Sequence, residues 1–573
     1  MSNYNIEYKR WLESASLTDA EREELVSIKD NEEAKALRFT APMDFGTAGL
    51  RSVMNLGIGS MNRFTVAQTT KGIAELIKAS GANSRGVVIA HDSRINSREF
   101  AVVSARVLAS SGIKVYIFDS LRPTPELSFA VIELGAIAGI NITASHNPKE
   151  YNGYKAYWED GAQLAPEQAK IVSSARAAFD VLDTSGLADF DEAVESGIIT
   201  ILGSAFDEKY LDAVVKTAIA PSVIEEVADE FKVVYTPLHG AGAVLVPKVF
   251  ERVGLKHLYT VHEQMEPDGN FPTVEKPNPE YKAVFKIGIE IAEKVGSDLV
   301  IATDPDADRV GVIARNSGGD FVTISGNQMG ALLLDYCIEQ RRKVGALSDN
   351  AYCVKSIVST DMAYKIASMQ GVKLYDVLTG FKYIGEVIKN VKDDSAFILG
   401  FEESYGYLLG AYARDKDAVE ASMMILEMAA YYKKNGKTLI EALDSLYKKY
   451  GFYAEKTVDI YMEGLDGIEK RKRVMETLRT DPPMSIGGVG VVSVGDYLSG
   501  ERRRLSDGFV SLIDSQRSDV LYYTLENDDK VIVRPSGTEP KIKIYILAHS
   551  DDKNALGEKV EKYEIEAKRM TEV

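Results

Sequence analysis

The sequence has very little cysteine and no long apolar segment. Only Cys337 and Cys353 occur among 573 residues, which excludes a disulfide framework and favours two buried thiols in a reducing compartment. No 18 consecutive residues are apolar, so a transmembrane helix is not expected, and the opening stretch MSNYNIEYKRWLES has no apolar signal core. We therefore expect a cytosolic protein that has no membrane partner.

Positive charge is also in deficit. Lys and Arg total 67 against 85 Asp and Glu, which gives a net charge of −18. Such a chain presents no overall basic field to nucleic acid or to anionic lipid, so we expect no nucleic-acid partner. An anionic substrate would have to be bound by local cations.

Fixed-period repeats and low-complexity tracts are absent. What the chain does contain is short apolar strands alternating with amphipathic segments of helix length, a pattern typical of α/β units. Strands are predicted at 86–90, 114–118, 137–142, 231–235, 299–302 and 396–399. The end of the chain differs, because a hairpin of 521–525 with 530–534, an alternating strand at 541–546 and a charged helix indicate a separate α+β domain. The length predicts about four domains of roughly 150 residues, and strand–helix counting places them at 1–203, 204–325, 326–453 and 454–573.

Several of these strands run directly into polar, turn-forming sequence. The motifs are HDSR at 91–94, TASH at 143–146, TPLHG at 236–240, TDPDADR at 303–309 and GFEES at 400–404. In open α/β sheets, ligands bind outside the carboxyl ends of strands. These five stretches are therefore the candidates for the functional site.

The motif TDPDADR presents three carboxylates at alternate positions, Asp304, Asp306 and Asp308. Like charges about 4 Å apart repel by roughly 4 kcal/mol at an effective dielectric constant of 20, so converging carboxylates require a cation. An EF-hand calcium loop fails on spacing, since Arg309 stands where its glycine belongs and Arg315 where its bidentate glutamate belongs. Oxygen ligands that leave room for a phosphate oxygen suit Mg²⁺. The alternative is a solvated acidic turn.

Ser145 lies in TASHNPKEYNGYK, on a tight loop after a buried strand. A loop serine beside Asn147 and Pro148 is ordinarily a turn former, and the absence of a Gly-x-Ser-x-Gly elbow argues against a hydrolase. As a phosphoserine it would bring three acceptor oxygens to a cation held by the aspartates. Lys155 and Arg309 are candidates for assisting proton transfer and stabilising developing charge, or else ordinary ion-pair residues. Together these residues predict a phosphoryl-transfer centre.

The motif RPSGTEPKIKIY offers a second anion site. Arg534, Ser536, Gly537 and Thr538 supply a guanidinium, two hydroxyls and a glycine that permits close backbone approach, which suits a bound phosphate. Lys543 projects from one face of the following strand and is a further candidate. The alternative is a surface turn.

Five motifs in this order resemble those of the α-D-phosphohexomutase superfamily. They are FGTAGLR at 45–51, TASHNP at 143–148, DPDADR at 304–309, GFEES at 400–404 and RPSGTEP at 534–540, and they span nearly the whole chain. The resemblance implies three related α/β domains and a C-terminal α+β domain around a central cleft. Pro305 and Ala307 replace the glycines of the commoner DGDGDR form, although every carboxylate is retained.

The resemblance also assigns residues. Ser145 would be the phosphorylated residue, and it would share one Mg²⁺ with Asp304, Asp306 and Asp308. Arg51 and His146 would flank the phosphoserine, beside Lys155 and Arg309. The residues assigned to substrate are Thr379, Gly380, Lys382, Glu402, Ser404, Lys416, Arg534, Ser536, Gly537, Thr538 and Lys543.

The implied reaction moves a phosphoryl group between two hydroxyls of a small sugar phosphate through the phosphoserine and a sugar bisphosphate. GFEESYG resembles the glucose-type loop, so the expected substrates are glucose 1-phosphate and glucose 6-phosphate, with glucose 1,6-bisphosphate as activator. Mannose and pentose phosphates are the enzymatic alternatives. A non-catalytic sugar-phosphate sensor and a metal-dependent phosphatase are the others. The oligomeric state does not follow from the sequence.

Overall fold

The computed structural model describes residues 2–46, 49–462, 464–536 and 541–572. The chain divides into two compact units. The first consists of Met1–Thr323, Ile388–Asp394 and Gly406–Gly436, and the second of Ile324–Val387, Ser395–Tyr405 and Lys437–Val573. Within the described ranges, no helix combines the length and the apolar character needed to cross a membrane.

The helices alternate with strands along most of the chain. The helices are α1 (Asn3–Leu12), α2 (Asp19–Ser27), α3 (Glu32–Phe39), α4 (Arg63–Ser80), α5 (Ser97–Ser110), α6 (Thr124–Glu133), α7 (Pro166–Ala177), α8 (Phe190–Glu195), α9 (Ser204–Val215), α10 (Ser222–Glu226), α11 (Gly242–Arg252), α12 (His262–Met265), α13 (Lys286–Val295), α14 (Gly326–Lys343), α15 (Met362–Gln370), α16 (Phe381–Val391), α17 (Ala418–Lys434), α18 (Leu439–Tyr450), α19 (Gly464–Thr480) and α20 (Lys553–Arg569).

Most strands have four to six residues. The strands are β1 (Leu50–Val53), β2 (Val87–His91), β3 (Val115–Phe118), β4 (Ala138–Ile142), β5 (Tyr151–Trp158), β6 (Ile199–Leu202), β7 (Lys232–Thr236), β8 (His257–Thr260), β9 (Leu299–Thr303), β10 (Val310–Arg315), β11 (Phe321–Ile324), β12 (Tyr352–Ser356), β13 (Lys373–Val377), β14 (Phe397–Glu402), β15 (Gly406–Leu408), β16 (Phe452–Tyr461), β17 (Ser485–Ile486), β18 (Val489–Asp496), β19 (Glu501–Arg504), β20 (Val510–Leu512), β21 (Leu521–Leu525), β22 (Lys530–Pro535) and β23 (Lys541–Ser550). The two longest, β16 and β23, have ten residues each.

The first unit contains two mixed sheets. One has the strand order β1-β5-β4-β2-β3-β6 and the other β11-β10-β9-β7-β8. Strands β2, β3, β4 and β6 run parallel, whereas β5 returns antiparallel to β4. All five residues of β2, β4 and β9 are buried, as is typical of parallel strands covered on both faces.

The second unit contains a parallel sheet and a larger antiparallel one. In the parallel sheet β12 lies between β13 and β14. The antiparallel sheet follows the order β16-β23-β22-β21-β18-β19-β20. Its core is formed by alternate residues of the long strands together with apolar residues of α19 and α20, among them Val474, Val533, Ile544 and Tyr563.

The predicted fold class is confirmed, and every strand named in the sequence analysis is present. The hairpin of β21 and β22 and the terminal helix α20 also form as expected. Two features differ from the prediction. The strand predicted at 541–546 continues to Ser550, and antiparallel strands such as β5 and β10 border the parallel ones, because polar loops rather than crossover helices precede them.

Candidate active site

Ser145 lies in the loop that joins β4 to β5. Its backbone φ is 52°, a left-handed conformation that an ordinary residue adopts only when its surroundings hold it there. The Oγ atom donates to Asp304 Oδ2 at 2.7 Å and lies 3.1 Å from His146 Nδ1. The residue is only 2% exposed. A buried hydroxyl is thus fixed against the first of the three aspartates.

Arg94, the last residue of HDSR, fixes the Ser145 loop through hydrogen bonds to its backbone. Its guanidinium donates to four backbone carbonyls, those of Ser145, Asn147, Pro148 and Tyr151. Its Nε lies 3.2 Å from Asp92 Oδ2, in an ion pair whose side chains are both fully buried. A planar fork with five donors suits this arrangement, and a lysine ammonium does not.

Replacing Arg94 by lysine is therefore expected to misplace the Ser145 loop. We expect kcat to fall by about 10- to 100-fold, because a nucleophile displaced by an ångström loses roughly this much, while the free energy of unfolding falls by about 3 kcal/mol. Arg176→Lys is the matched control, since Arg176 is also buried but donates to Met43 O, far along the chain from this loop. Equal kcat values for the two variants would contradict a positioning function for Arg94.

The three aspartates occupy the loop between β9 and β10. Asp304, Asp306 and Asp308 are 0%, 0% and 2% exposed, and one carboxylate oxygen of each lies within 4.8 Å of the others. Ala307 has a φ of 50°, so it adopts the left-handed conformation that a glycine would take freely. Gly240 of TPLHG lies against this loop, since a Cβ there would come 2.4 Å from Pro305 Cα. The turn thus aims all three carboxylates inward.

The donor set fits a divalent cation. In the part of the chain that the structure describes, the buried Oδ1 atoms of Asp306 and Asp308 have no hydrogen-bond partner. Burial raises the pKa of Asp304 well above its ordinary value, and repulsion from Asp306 and Asp308 raises it further. Three buried carboxylates with two unused oxygens are the hard, oxygen-only ligands that Mg²⁺ prefers.

Lys155 lies between two of these carboxylates. Its Nζ is 2.7 Å from Asp306 Oδ2 and 3.0 Å from Asp308 Oδ2. Strand β5 brings it there, because Lys155 pairs in register with Asn141 of β4. Burial opposes the charged form of the amine, but attraction to the two carboxylates outweighs burial and raises the pKa of Lys155 above its ordinary value. The amine is therefore protonated at neutral pH.

Lys416, predicted as a substrate contact, lies beside the aspartate loop, and its side chain also packs against Gly406. Its Nζ is 3.2 Å from Asp308 Oδ2 and 2.9 Å from Asp415 Oδ1. Asp415 accepts hydrogen bonds from Tyr157 and Gln163 at 2.7 and 3.0 Å. Burial raises the pKa of Asp308, but Lys155, Lys416 and Arg309 outweigh burial, so the pKa lies below its ordinary value.

The remaining predicted residues of this unit surround the serine. His146 is adjacent, and burial together with the cations Arg309 and Arg51 lowers the pKa of its imidazole well below the ordinary value. Arg51 lies on β1 and donates to Asn147 Oδ1 at 3.3 Å. Arg309 donates to Glu280 Oε1 at 2.8 Å, with its Nε 3.8 Å from Asp308 Oδ1. Arg51, Arg94 and Arg309 thus bring guanidiniums to the surroundings of the loop, alongside the aspartates, and guanidiniums suit a phosphorylated serine.

His91 is expected to make the free energy of unfolding depend on pH in the acidic range. Its ring is buried at the end of β2, with Nδ1 2.8 Å from Asp92 O, and burial chiefly lowers its pKa from 6.5 to about 4. Because the unfolded chain binds the proton more tightly, this contribution to stability is complete above pH 6.5 and is lost as the pH falls toward 4. We expect the free energy of unfolding of the parent protein to be about 2 kcal/mol lower at pH 5 than at pH 7.5. Urea unfolding of His91→Phe at the same two pH values should show a smaller decrease. An unchanged loss would contradict the assignment to His91.

In the second unit, Glu402 ends β14 and is 5% exposed. Its Oε1 accepts a hydrogen bond from the backbone N–H of Gly380 at 2.7 Å, so the loops that carry Thr379 and Glu402 are joined. Ser404 follows two residues later and is half-buried. The Nζ of Lys382 lies 4.8 Å from the Tyr383 ring centre. The structure thus brings the predicted loop 379–382 to the predicted loop 402–404.

The other predicted anion site lies at the ends of β22 and β23. Arg534 pairs in register with Lys543, so both side chains leave the same face of the sheet, and Ser536 N donates to Lys541 O at 2.9 Å. The Arg534 guanidinium lies 5.9 Å from the Tyr545 ring centre. Gly537 and Thr538 lie outside the described residues, and their assignment stays a prediction.

Three buried residues that support the site were not singled out from the sequence. Arg94 was quoted only within HDSR. Thr124 donates to Asp306 Oδ2 at 2.7 Å and accepts from Asn141 at the same distance, and Asp415 holds Lys416. Each of the three has at least one partner that is distant in sequence, since Arg94 reaches the carbonyls of residues 145–151, Thr124 reaches Asp306, and Asp415 accepts from Tyr157 and Gln163. Strand-end position was the signal available for Arg94, and it did not identify the partners.

The chain matches the four domains of the family described as Phosphoglucomutase/phosphomannomutase. The alpha/beta/alpha domains I, II and III match residues 42–180, 208–319 and 325–450, and the C-terminal domain matches 518–561.

Among curated relatives, a phosphoglucomutase of Staphylococcus aureus (strain MRSA252) is 37% identical over 530 residues, which cover 91% of this chain and 92% of the relative. A phosphoglucomutase of Staphylococcus saprophyticus is 37% identical over 516 residues, which cover 90% of this chain and 92% of the relative. Among solved structures, parafusin, a phosphoglucomutase of Paramecium, aligns with a TM-score of 0.69 at 18% identity, covering 92% of this chain and 95% of the other. A phosphoglucomutase/phosphomannomutase family protein of Burkholderia thailandensis aligns with a TM-score of 0.65 at 17% identity, covering 92% of this chain and 98% of the other. These two likenesses concern the fold alone.

Proposed function

The chain belongs to the phosphoglucomutase/phosphomannomutase family, and on that premise we propose that it interconverts glucose 1-phosphate and glucose 6-phosphate through a phosphoserine at Ser145. The observation that carries the proposal is the hydrogen bond from Ser145 Oγ to Asp304 at 2.7 Å, within a buried triad of carboxylates. Glucose is supported by 36–37% identity to phosphoglucomutases over about nine tenths of the chain.

Each half-reaction exchanges one phosphorus–oxygen bond for another. The 6-hydroxyl of glucose 1-phosphate forms a bond to phosphorus, the bond from phosphorus to Ser145 Oγ breaks, and the proton of the hydroxyl ends on the released Ser145 Oγ. Glucose 1,6-bisphosphate then presents its 1-phosphate. Ser145 Oγ forms a bond to that phosphorus, the bond from phosphorus to the sugar 1-oxygen breaks, and this oxygen gains the serine proton as glucose 6-phosphate is released. Such transfers depend mainly on positioning and on electrostatic stabilisation.

Asp304, Asp306 and Asp308 would hold Mg²⁺ together with an oxygen of the phosphorylated Ser145, and the bound ion would supply Lewis-acid polarisation of the phosphoryl group. Arg94 orients the serine loop by donating hydrogen bonds to the backbone carbonyl oxygens of that loop. Lys155, protonated as its raised pKa requires, donates hydrogen bonds where negative charge develops.

The other predicted loops would bind the sugar and the phosphate that is not being transferred. Glu402, fixed by the backbone of Gly380, and Ser404 would bind sugar hydroxyls, assisted by Thr379 and Lys382. Arg534, Ser536 and Lys543, with Gly537 and Thr538, would bind the phosphate that is not being transferred. Guanidinium forks and hydroxyls suit that group.

We also propose glucose 1,6-bisphosphate as the activator that phosphorylates Ser145 and restarts enzyme that has lost its phosphoryl group. A small sugar phosphate is the expected partner, with neither nucleic acid nor membrane. Domain limits near residues 203, 325 and 453 and a cytosolic location stay predictions.

Initial rates test the proposal. Purified protein with Mg²⁺ and a trace of glucose 1,6-bisphosphate would be given glucose 1-phosphate, mannose 1-phosphate or ribose 1-phosphate in turn, and free phosphate would be assayed in parallel. Preference for glucose 1-phosphate is the expected result. Preference for mannose or ribose would retain the mechanism and overturn the assignment of GFEESYG to glucose. Steady phosphate release would indicate a phosphatase, and no reaction of any sugar would favour a sensor.

A further inference from the structure

Thr124 makes two contacts with Asp306, the second of the three aspartates. Its Oγ1 donates to Asp306 Oδ2 at 2.7 Å, and its backbone N–H donates to Asp306 O at 2.8 Å. Thr124 is the first residue of α6, lies between Pro123 and Pro125, and is 0% exposed. The proline rings restrict the backbone on either side of it. Thr124 therefore holds both the main chain and the side chain of Asp306.

Asn141 determines the direction of the contact between these two side chains. Its Nδ2 donates to Thr124 Oγ1 at 2.7 Å from the buried strand β4. A hydroxyl has one proton to donate and lone pairs that accept. The Asp306 carboxylate forms an ion pair with Lys155, so its oxygens accept. Because the lone pairs of the Thr124 hydroxyl face Asn141, its proton goes to Asp306, and the chain of hydrogen bonds runs in one direction.

These contacts give the two oxygens of Asp306 different surroundings. Oδ2 accepts from Thr124 and from Lys155, each at 2.7 Å. Oδ1 is buried and has no hydrogen-bond partner among the described residues. The lysine is a cation and competes with a metal ion for the carboxylate, whereas the threonine is neutral and only orients it. A rotation of the carboxylate that carried Oδ2 away from Thr124 would also move Oδ1.

We propose that Thr124, itself fixed by Asn141, is a positioning residue that keeps Asp306 Oδ1 available to the divalent cation. The inference rests on the proposed function, in which the three aspartates hold Mg²⁺, and it adds a residue that acts through Asp306. Loss of a hydrogen bond to a metal-ligating group typically lowers metal affinity by about 10- to 100-fold.

Titration calorimetry of the full chain with MgCl₂, without any sugar phosphate, tests this inference. Thr124→Val keeps the β-branched shape and removes the hydroxyl, so the dissociation constant for Mg²⁺ should rise about tenfold or more. Thr124→Ser keeps the hydroxyl and should retain the affinity of the parent. Thr69→Val is the matched control, because Thr69 is equally buried and donates at 2.7 Å to Thr65 O within α4. Its affinity should equal that of the parent.

Asp306→Ala identifies the binding heat that belongs to the three aspartates. Parent-like affinity in Thr124→Val, with binding lost in Asp306→Ala, would overturn the positioning function of Thr124 and leave the metal site intact. Absence of saturable binding in the parent, or its persistence in Asp306→Ala, would overturn the metal site and this inference together.

Asn141→Leu provides a second variant. It removes the donor that fixes the Thr124 hydroxyl and keeps the hydroxyl itself, so it should weaken Mg²⁺ binding by a smaller factor than Thr124→Val. Urea unfolding in EDTA shows whether each variant folds. Should Thr124→Val fail to fold, parent-like affinity in Asn141→Leu would overturn the inference.

Initial rates separate positioning from a general structural defect. In Thr124→Val the apparent KM for Mg²⁺ should rise, while kcat at saturating Mg²⁺ stays close to that of the parent. A lower kcat with an unchanged KM for Mg²⁺ would indicate a structural defect and overturn the inference.

Discussion

Ser145→Ala is expected to abolish isomerisation of glucose 1-phosphate. The variant lacks the only oxygen at this loop position that can carry the phosphoryl group, so kcat should fall roughly 10⁴-fold or more, as removal of other covalent nucleophiles does. The fold should survive, because the lost group is one hydroxyl that donates to Asp304, worth about 1 kcal/mol. Coupled-enzyme rates and urea unfolding measure the two effects.

A matched variant separates chemistry from stability. Ser174→Ala removes a hydroxyl at an exposed position of α7 and should change neither quantity. Phosphopeptide mass spectrometry after incubation with glucose 1,6-bisphosphate should find the modification on Ser145 in the parent and on no residue of Ser145→Ala. Full activity of Ser145→Ala, or a phosphoryl group on another serine, would rule out the proposed nucleophile.

The site around Ser145 was predictable because its parts stand at strand ends. β4 ends at Ile142 and β9 at Thr303, so the serine and the aspartates each follow directly from a buried apolar run. Lys155 was predictable for a related reason, since a β strand that returns antiparallel after a short loop brings a residue ten positions later back beside the loop. The apolar period of each strand and the polar residues that follow it therefore indicate the position of the site within a short stretch of sequence.

Other features depend on contacts between distant segments. Nothing in the text of HDSR shows that Arg94 reaches four carbonyls beyond residue 144, and nothing in RDKDA shows that Asp415 turns Lys416 toward Asp308. The position of Lys416 beside the aspartate loop was not predicted, and its assignment to substrate stays a prediction. Side-chain direction within a loop is set by tertiary packing, which a single sequence does not encode in its period.

Lys155→Met is expected to lower activity while it strengthens metal binding. The substitution keeps the length of the side chain and removes the charge that lies 2.7 and 3.0 Å from Asp306 and Asp308. Loss of a protonated donor beside the transferring group should reduce kcat by about 10²- to 10³-fold. The affinity for Mg²⁺ should rise, because a cation that competes for the same carboxylates has been removed.

Stability should depend on the metal in this variant. In EDTA, Asp306 loses its lysine partner while Asp308 keeps Lys416 and Arg309, and removing one partner of a buried ion pair costs about 3 kcal/mol or more. Mg²⁺ binds the folded state and should restore much of this loss, in proportion to the logarithm of its concentration over the dissociation constant. Urea unfolding in EDTA and in MgCl₂ would give both values, with the larger gain from Mg²⁺ in Lys155→Met than in the parent.

Lys433→Met provides the comparison. Lys433 forms an ion pair of 2.7 Å with Asp298, but both side chains are more than a quarter exposed, so water compensates the remaining charge and the cost should stay below about 1 kcal/mol with or without Mg²⁺. Equal losses in the two lysine variants would show that the aspartates do not depend on Lys155. Lys155, unlike Lys433, is buried beside Asp306 and Asp308 and therefore competes directly with a cation that these carboxylates hold. A stability gain from Mg²⁺ that is no larger in Lys155→Met than in the parent would show that the ion binds elsewhere than at the three aspartates.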